Sequence, residues 1–162
     1  MKIRTFVICL MVCTALHAQT GLKKVYDESV NPLEQIDKAM AAAQAAGKRV
    51  ICQVGGNWCP WCLRLADFIE NDSTISKVIE DNFVYIHVNY RPGIPSDSAK
   101  AARDKALMKR LNDPSHYGFP VLVVLDRKGK VAHIQETGCL ERDKSYDREK
   151  VLNFFNSEKE RK

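Results

Sequence analysis

The amino-acid sequence predicts an α/β fold in which a central β-sheet is flanked by helices. Helical and strand patterns alternate in the order α-β-α-α-β-α-β-β-α, which is typical of a mostly parallel sheet covered on both faces. A tight turn between the last two strands adds an antiparallel C-terminal β-hairpin, so the sheet is expected to be mixed, and a final helix follows. The length of 162 residues, 45% of them hydrophobic, suits one domain with a substantial core.

The individual elements follow from local patterns. Asn31 is suited to cap a helix, Pro32 to begin it and Gly47 to end it. Before this helix, residues 22–26 are a candidate edge strand. The other predicted strands are apolar runs bounded by turn residues, at 49–54, 83–89, 121–125 and 130–136. The other predicted helices carry apolar side chains at spacings of three and four, at 59–70, 75–81, 98–112 and after the charged stretch 141–149.

Composition excludes several classes of protein. The net charge of +5 is too small, and its residues too scattered, to predict nucleic-acid binding. Six cysteines are too few for a small domain held together by disulfides. The hydrophobic content argues against a disordered chain, and eight glycines exclude a collagen-like repeat.

The first eighteen residues have the pattern of a secretory signal. Lys2 and Arg4 precede an uncharged apolar run at 5–16, which is shorter than the roughly 20 residues that span a bilayer. We therefore expect export, with a periplasmic mature chain. Lipid attachment at Cys13, or a membrane anchor formed by an uncleaved signal, are the alternatives. The chain is divided into a signal peptide at 1–18, an N-terminal segment at 19–30 and one domain at 31–162.

Two cysteines at the start of the helix 59–70 point to redox chemistry. Cys59 and Cys62 are three residues apart, so they lie on one helical face within disulfide reach. Cys59 is at the helix N-terminus, where unpaired amides and the helix dipole favour a thiolate, so we expect its pKa to lie below the ordinary value of about 8.5. Cys59 would attack a substrate disulfide and Cys62 would resolve the mixed disulfide. Pro60 fits an early helical position, where no amide donor is needed.

Two other functions for the cysteine pair are disfavoured. A zinc site needs four ligands, but there is no second Cys-x-x-Cys, and His87, His116 and His133 are scattered along the chain. A purely structural disulfide closing so short a loop would stabilise the fold only weakly. The disulfide itself would be the redox group, with no dissociable cofactor and no metal.

The order of motifs resembles the thioredoxin superfamily, and most of all its exported bacterial thioredoxin-like thiol–disulfide oxidoreductases. A strand and a Gly-Gly-Asn turn lead into Trp58-Cys59-x-x-Cys62, and Gly118-Phe119-Pro120 later precedes a buried strand and a hairpin. The resemblance covers about residues 31–156 and implies the thioredoxin fold. It also implies that Cys59 and Cys62 are the redox pair.

The resemblance assigns roles to further residues. Trp58 would shield the sulfurs and contact partners, and Gly138 would lie in a loop beside the site. Pro120 would face the motif after a cis peptide bond to Phe119, and the neighbouring backbone would pair with the substrate chain. A cis bond occurs at only about 5–6% of X-Pro positions in folded proteins, so this implication is specific.

The sequence departs from thioredoxin at two places. Gln53 stands where thioredoxin has a buried carboxylate that accepts the proton of the second cysteine, and an amide cannot take that role. Lys48, Glu70 or solvent are the substitutes we consider. The segment 90–116 is an addition to the minimal fold, either a lip over the site or a solvated insertion.

The remaining candidates are two aromatic and two cysteine side chains. Trp61 beside Trp58 would form an apolar rim suited to a protein substrate, or Trp61 would pack into the core instead. Cys52 is expected to be buried. Cys139, beside Gly138, is a spare or regulatory thiol. We do not expect the two to pair, because Cys52 should lie under the sheet and Cys139 at its rim.

These observations favour an exported enzyme that reduces or exchanges protein disulfides, with electrons from a partner protein such as a membrane reductase. The dipeptide Pro60-Trp61 contains no histidine that would stabilise the thiolate, which favours the reducing direction. A disulfide oxidase or isomerase is one alternative. A redox-inert binding module or holdase of the same fold is the other, and Gln53 favours it.

Overall fold

A computed structural model describes residues 21–93 and 97–161. The five helices of these residues are α1 (Pro32–Ala46), α2 (Pro60–Asn71), α3 (Ser73–Asn82), α4 (Ser98–Arg110) and α5 (Arg148–Glu160). The strands are β1 (Arg49–Gly55), β2 (Phe83–Asn89), β3 (Val121–Leu125), β4 (Val131–Glu136), β5 (Glu141–Arg142) and β6 (Ser145–Tyr146). The order of the longer elements confirms the predicted α/β fold.

The central sheet has four strands in the order β2-β1-β3-β4 and is mixed, as predicted. Only β1 and β2 are parallel, whereas β3 is antiparallel to both β1 and β4, so the expectation of a mostly parallel sheet is wrong. Asn89 at the end of β2 pairs with Gly55, and Val121 at the start of β3 pairs with Val54. The connection through α4 therefore begins and ends beside the C-terminal end of β1, so β3 runs antiparallel to β1.

Alternating side chains of the sheet enter two separate hydrophobic cores. Ile51, Leu122 and Val124 pack on one face against α2, α3 and α5. Val50, Cys52 and Val54 pack on the other face against α1 and α4. All five residues of β3 are buried because both faces of this central strand are covered.

The predicted start and end signals of the first helix are confirmed. The Asn31 side chain accepts a hydrogen bond from the Leu33 amide, and Pro32 occupies the first turn. Gly47 ends the helix in the left-handed conformation, with φ of 67°. That conformation costs a residue with a side chain more than it costs glycine.

The N-terminal segment differs from its prediction. Residues 22–26 form no strand; Val25 and Tyr26 instead pack on the beginning of α2, with Tyr26 4% exposed. The expected signal at 1–18 lies outside the described residues. Within the described residues, no helix is long and apolar enough to cross a bilayer.

Two other regions also differ from expectation. The added segment 90–116 contains α4, whose Leu107 is fully buried together with the following Leu111. One face of α4 therefore completes the core under the sheet, which neither alternative anticipated, while many other described residues of the segment are exposed. The charged stretch after 140 contains the small β5–β6 hairpin, which brings Tyr146 against α2.

Candidate functional site

The cysteine pair lies where β1 ends and α2 begins. Cys59 is the N-cap of α2, and its Sγ accepts a hydrogen bond from the Cys62 amide at 3.1 Å. The two residues form a disulfide, with their Cα atoms 5.2 Å apart. One of the N-terminal amides that would stabilise a Cys59 thiolate, that of Cys62, therefore already points at its sulfur in the oxidised protein.

The two sulfurs differ in access. Cys59 retains 5% of its surface, whereas Cys62 is completely buried. Cys59 is therefore the more accessible of the two residues. Pro60, in the first turn of α2, is exposed beside Cys59.

A backbone segment faces the disulfide from the start of β3. The peptide bond between Phe119 and Pro120 is cis, and the Phe119 carbonyl oxygen lies 3.6 Å from Cys59 Sγ. The Thr137 hydroxyl donates a 2.6 Å hydrogen bond to the Pro120 carbonyl. This bond ties the end of β4, and with it Gly138 in the following short helix, to the segment that faces the sulfurs.

The two tryptophans have different surroundings. Trp58 is 38% exposed; its indole nitrogen donates to the Tyr90 carbonyl at 3.0 Å, and its ring packs edge-on against Phe119 at 5.6 Å. Trp61 is half-buried, packs edge-on against Tyr146 and carries the Arg64 guanidinium over its ring. The exposed apolar rim is thus formed by Trp58 with Phe119. Trp61 packs against the core instead, which was the alternative considered for it.

Gln53 is the centre of a buried hydrogen-bond network behind Cys62. Its Nε2 donates to the Tyr26 hydroxyl at 2.6 Å and to the Cys62 carbonyl at 2.9 Å. The Tyr85 hydroxyl donates to its Oε1 at 2.6 Å. Burial raises the pKa of both tyrosines above the ordinary value, so both stay protonated at neutral pH.

His87 packs against the two tyrosine rings of this network without a hydrogen bond to it. It lies edge-on to Tyr26 at 5.3 Å and to Tyr85 at 5.5 Å. Burial lowers the pKa of His87 to about 4, so the imidazole is neutral at pH 7. We use the name neutral cluster for Tyr26, Gln53, Tyr85 and His87, none of which carries a charge at that pH.

The expected substitutes for the missing carboxylate are not in this cluster. Lys48 precedes β1, at the opposite end of the strand from the motif, and donates to the Glu80 carbonyl. Glu70 is exposed and forms an ion pair with Lys23.

The neutral cluster depends on a segment that sequence analysis did not connect with the site. Asn57 holds the backbone of Tyr26 through two hydrogen bonds, accepting from its amide at 3.1 Å and donating to its carbonyl at 2.7 Å. Val25 and Tyr26 then pack on Cys59 and Cys62. The Gly-Gly-Asn turn could have indicated this contact, because the side chain of an Asn beside the motif can donate and accept hydrogen bonds with a neighbouring backbone.

The glycines of that turn are required by close approach. A Cβ atom on Gly55 would lie 2.4 Å from Cys62 Sγ, and one on Gly56 would lie 2.4 Å from the indole nitrogen of Trp58. Any larger residue at either position would displace the sulfur or the tryptophan.

The other two described cysteines are free, as expected. Cys52 is buried on the opposite face of the sheet, where burial raises the pKa of its thiol to about 12. Cys139 is exposed after β4. Among the described residues, no group of three or more histidine, cysteine or acidic side chains could hold a metal ion.

Comparison with known proteins agrees with this geometry. The family model described as a thioredoxin-like domain matches residues 36–154. The thiol:disulfide interchange protein DsbD of Ralstonia nicotianae is 26% identical over 121 residues. The match covers 75% of this chain and only 18% of that relative's length.

Solved structures show the same fold. A disulphide isomerase from Xylella fastidiosa Temecula1 superposes with a TM-score of 0.68 at 24% identity, covering 85% of this chain and 98% of the other. A DsbH oxidoreductase gives 0.53 at 17% identity, covering 83% and 85%. A thioredoxin from Thermus thermophilus gives 0.52 at 22% identity, covering 75% and 81%.

Proposed function

The chain belongs to the thioredoxin-like domain family, and from this premise we propose that it is a thiol–disulfide oxidoreductase acting on protein disulfides outside the cytoplasm. The observation that carries the proposal is the Cys59–Cys62 disulfide, which begins α2 and faces the Phe119 carbonyl 3.6 Å away. The reducing or exchange direction is the one we propose, since Pro60 and Trp61 place no histidine beside the sulfurs. An oxidase or isomerase would use the same steps in another direction.

The reaction proceeds by two exchanges at sulfur. In the dithiol form, the Cys59 thiolate attacks one sulfur of a substrate disulfide; a mixed disulfide forms, and the other substrate sulfur leaves as a thiolate. The Cys62 thiolate then attacks Cys59 Sγ, which releases the second substrate thiolate and closes the Cys59–Cys62 bond. The substrate has gained two electrons, and the enzyme has lost them. A thiol donor restores the dithiol by the reverse steps, so no other cofactor is needed.

The surroundings of Cys59 suit a protein substrate. Trp58, Phe119 and Tyr90 provide contiguous aromatic surface beside Cys59. In this proposal Phe119 and Pro120 present backbone to an extended substrate chain, and Gly138 keeps the adjoining loop small. Trp61 packs behind the motif, while Pro60 begins its helix.

The signal-like start of the chain supports the proposed location, and a similar protein supports the proposed electron supply. Residues 1–18 support export to the periplasm, with retention through the same residues as the alternative. The likeness to an interchange protein supports a partner protein as electron donor, such as a membrane reductase.

An insulin-reduction assay with a thiol donor tests the proposal. Cys59→Ser should abolish turnover, and Cys62→Ser should accumulate a mixed disulfide with the substrate, because the resolving sulfur is missing. Cys139→Ser is the matched control and should retain native turnover, since Cys139 is exposed outside the site. Unchanged turnover in both Cys59→Ser and Cys62→Ser would refute the enzymatic function.

The direction is settled by the reduction potential. A value near −270 mV would indicate a reductant, and one well above about −180 mV an oxidant. The binding module or holdase is the second candidate function, favoured by Gln53 in place of a carboxylate. A Cys59 thiol that is alkylated with the pH dependence of a free thiol, together with an inert pair, would support that candidate instead.

A further inference from the structure

Among the described residues, no charged side chain forms a hydrogen bond with the Cys62 sulfur. In the proposed function, Cys62 is a thiolate both when it attacks Cys59 and when it leaves during re-reduction. It is completely buried, and burial disfavours a charge. Among titratable groups, Cys59 and Tyr26 pack with it in one cluster, and Tyr85 and His87 lie next to Tyr26 and Gln53. Tyr26, Tyr85 and His87 are all uncharged at pH 7. The carboxylate of Glu70, on α2, acts on His87 electrostatically but is itself exposed.

The Tyr26 hydroxyl and the Cys62 sulfur face the same small space. A Cβ atom placed on Gly55 would lie 2.4 Å from Cys62 Sγ and 3.1 Å from the Tyr26 hydroxyl oxygen. Because Gly55 has no side chain, it leaves both groups facing this space. Tyr26, Cys59 and Cys62 form one buried cluster.

The hydrogen bonds of Gln53 leave one hydrogen free. Both Nε2 hydrogens are used, one for the Tyr26 oxygen and one for the Cys62 carbonyl, and Oε1 accepts from Tyr85. The Tyr26 oxygen is therefore an acceptor in this network, and within the described residues its own hydrogen has no acceptor. A buried hydroxyl without an acceptor is unfavourable, so a partner that appears during the reaction would be bound strongly.

We propose that Tyr26 donates a hydrogen bond to Cys62 Sγ whenever this sulfur is a thiolate. This inference rests on the proposed function and adds a residue that precedes the matched family region 36–154. When a donor thiolate attacks Cys59 Sγ, the Cys59–Cys62 bond breaks and its electron pair moves to Cys62, where the Tyr26 hydroxyl meets it. When Cys62 attacks, the same hydrogen bond is given up. Tyr26 itself stays neutral, because burial raises its pKa.

Asn57 makes this role possible. Its two hydrogen bonds to the Tyr26 backbone hold the N-terminal segment on the motif, so Tyr26 approaches the cysteine pair from outside the domain's own sheet and helices. Gln53 orients the hydroxyl from the other side. Tyr26 would thus stabilise the Cys62 thiolate without accepting its proton, which is a different role from that of the carboxylate in thioredoxin.

The test is the Cys62 thiol pKa in the reduced protein, followed through its ¹³Cβ NMR signal. Tyr26→Phe keeps the ring and removes the hydroxyl. It should raise this pKa by about one unit or more, since a hydrogen bond to a charged group is worth roughly 1.5–3 kcal/mol and one unit corresponds to about 1.4 kcal/mol. Tyr146→Phe is the matched control, because it removes another buried tyrosine hydroxyl, one that donates to the Trp61 carbonyl at 3.3 Å; it should leave the pKa unchanged.

A second measurement covers the case in which Tyr26→Phe does not fold. In the native protein, the Tyr26 ¹³Cζ signal should titrate together with the Cys62 signal. An unchanged Cys62 pKa in folded Tyr26→Phe, equal shifts in both variants, or a Tyr26 signal that ignores the Cys62 titration would overturn the inference. Neither measurement requires turnover, so a native protein that fails to reduce insulin would refute the proposed function while the pKa result still decides the role of Tyr26.

Discussion

Two buried polar clusters lie at opposite ends of β1, and they differ in charge. Near its end, Gln53 belongs to the neutral cluster behind Cys62. At its start, Arg49 belongs to a charged cluster around Glu158, which is completely buried. Glu158 accepts from His133 Nδ1 at 2.7 Å and pairs with Arg49 and Arg161 at 3.5 Å each.

The difference shows what each end of the strand does. The charged cluster compensates a permanent buried carboxylate, so its effect is on stability, and removing one partner leaves an uncompensated charge. The neutral cluster contains no permanent charge, so the thiolate that appears during the reaction finds donors without competing ions. Variants of the charged cluster should therefore change stability alone, whereas variants of the neutral cluster should also change the redox chemistry of the cysteine pair.

Glu158→Ala should have the largest effect on stability. It leaves the largely buried Arg49 guanidinium without its ion-pair partner, so the free energy of unfolding should fall by about 3–5 kcal/mol in urea titrations. Glu160→Ala, at an exposed position of the same helix, should change it by less than about 0.5 kcal/mol. The reduction potential of the Cys59–Cys62 pair should be unchanged in both, and a shift in Glu158→Ala would break the separation of the two clusters.

Acid should weaken the fold through the neutral cluster. The folded protein binds a proton on His87 only near pH 4, whereas the unfolded chain binds it near 6.5. The stability contribution is thus complete above pH 6.5 and is lost as the pH falls towards 4, by roughly 3 kcal/mol. The measurement is the unfolding free energy against pH.

His87→Leu should flatten that pH dependence, because leucine fills the site without titrating. His116→Leu, at an exposed position, should keep the native slope. The carboxyl groups of Asp72, Asp126 and Asp147, whose pKa values hydrogen bonds hold below 3.8, lose their contribution only at lower pH. A native slope in His87→Leu would contradict the assignment.

Gln53→Leu should remove the centre of the neutral cluster. The Tyr26 and Tyr85 hydroxyls and the Cys62 carbonyl lose their partner, so the unfolding free energy should fall by about 2 kcal/mol. Unlike Glu158→Ala, this variant should also slow insulin reduction. An unchanged rate would show that the network has no part in the chemistry.

Asn57→Ala should have the smallest effect on stability, about 1 kcal/mol, because its bonds to the Tyr26 backbone are only partly buried. Its effect on access should be clearer: the N-terminal segment is released, and the reduced Cys59 thiol should be alkylated faster. Asn153→Ala, exposed on α5, should alter neither quantity. Equal alkylation rates in all three proteins would show that the segment does not cover the site.

Local patterns predicted most of the fold. Strands β2 and β3 have the predicted bounds, because continuous apolar runs between turn residues indicate strands without reference to distant contacts. The same holds for Asn31 and Gly47, whose capping hydrogen bonds are made to residues two to four positions away. The position of Cys59 at a helix start was likewise a local property.

Long-range contacts decided the rest. The direction of β3, the covering of the cysteines by Val25 and Tyr26, and the neutral surroundings of Cys62 depend on residues far apart in the chain, such as Tyr26 and Gln53. The sequence indicated two cysteines at a helix start, because the spacing of the cysteines and the start of a helix are both local features of the chain. Which groups surround their sulfurs was set by packing, because a hydrogen bond across the sheet has no signature in either of the segments that it joins.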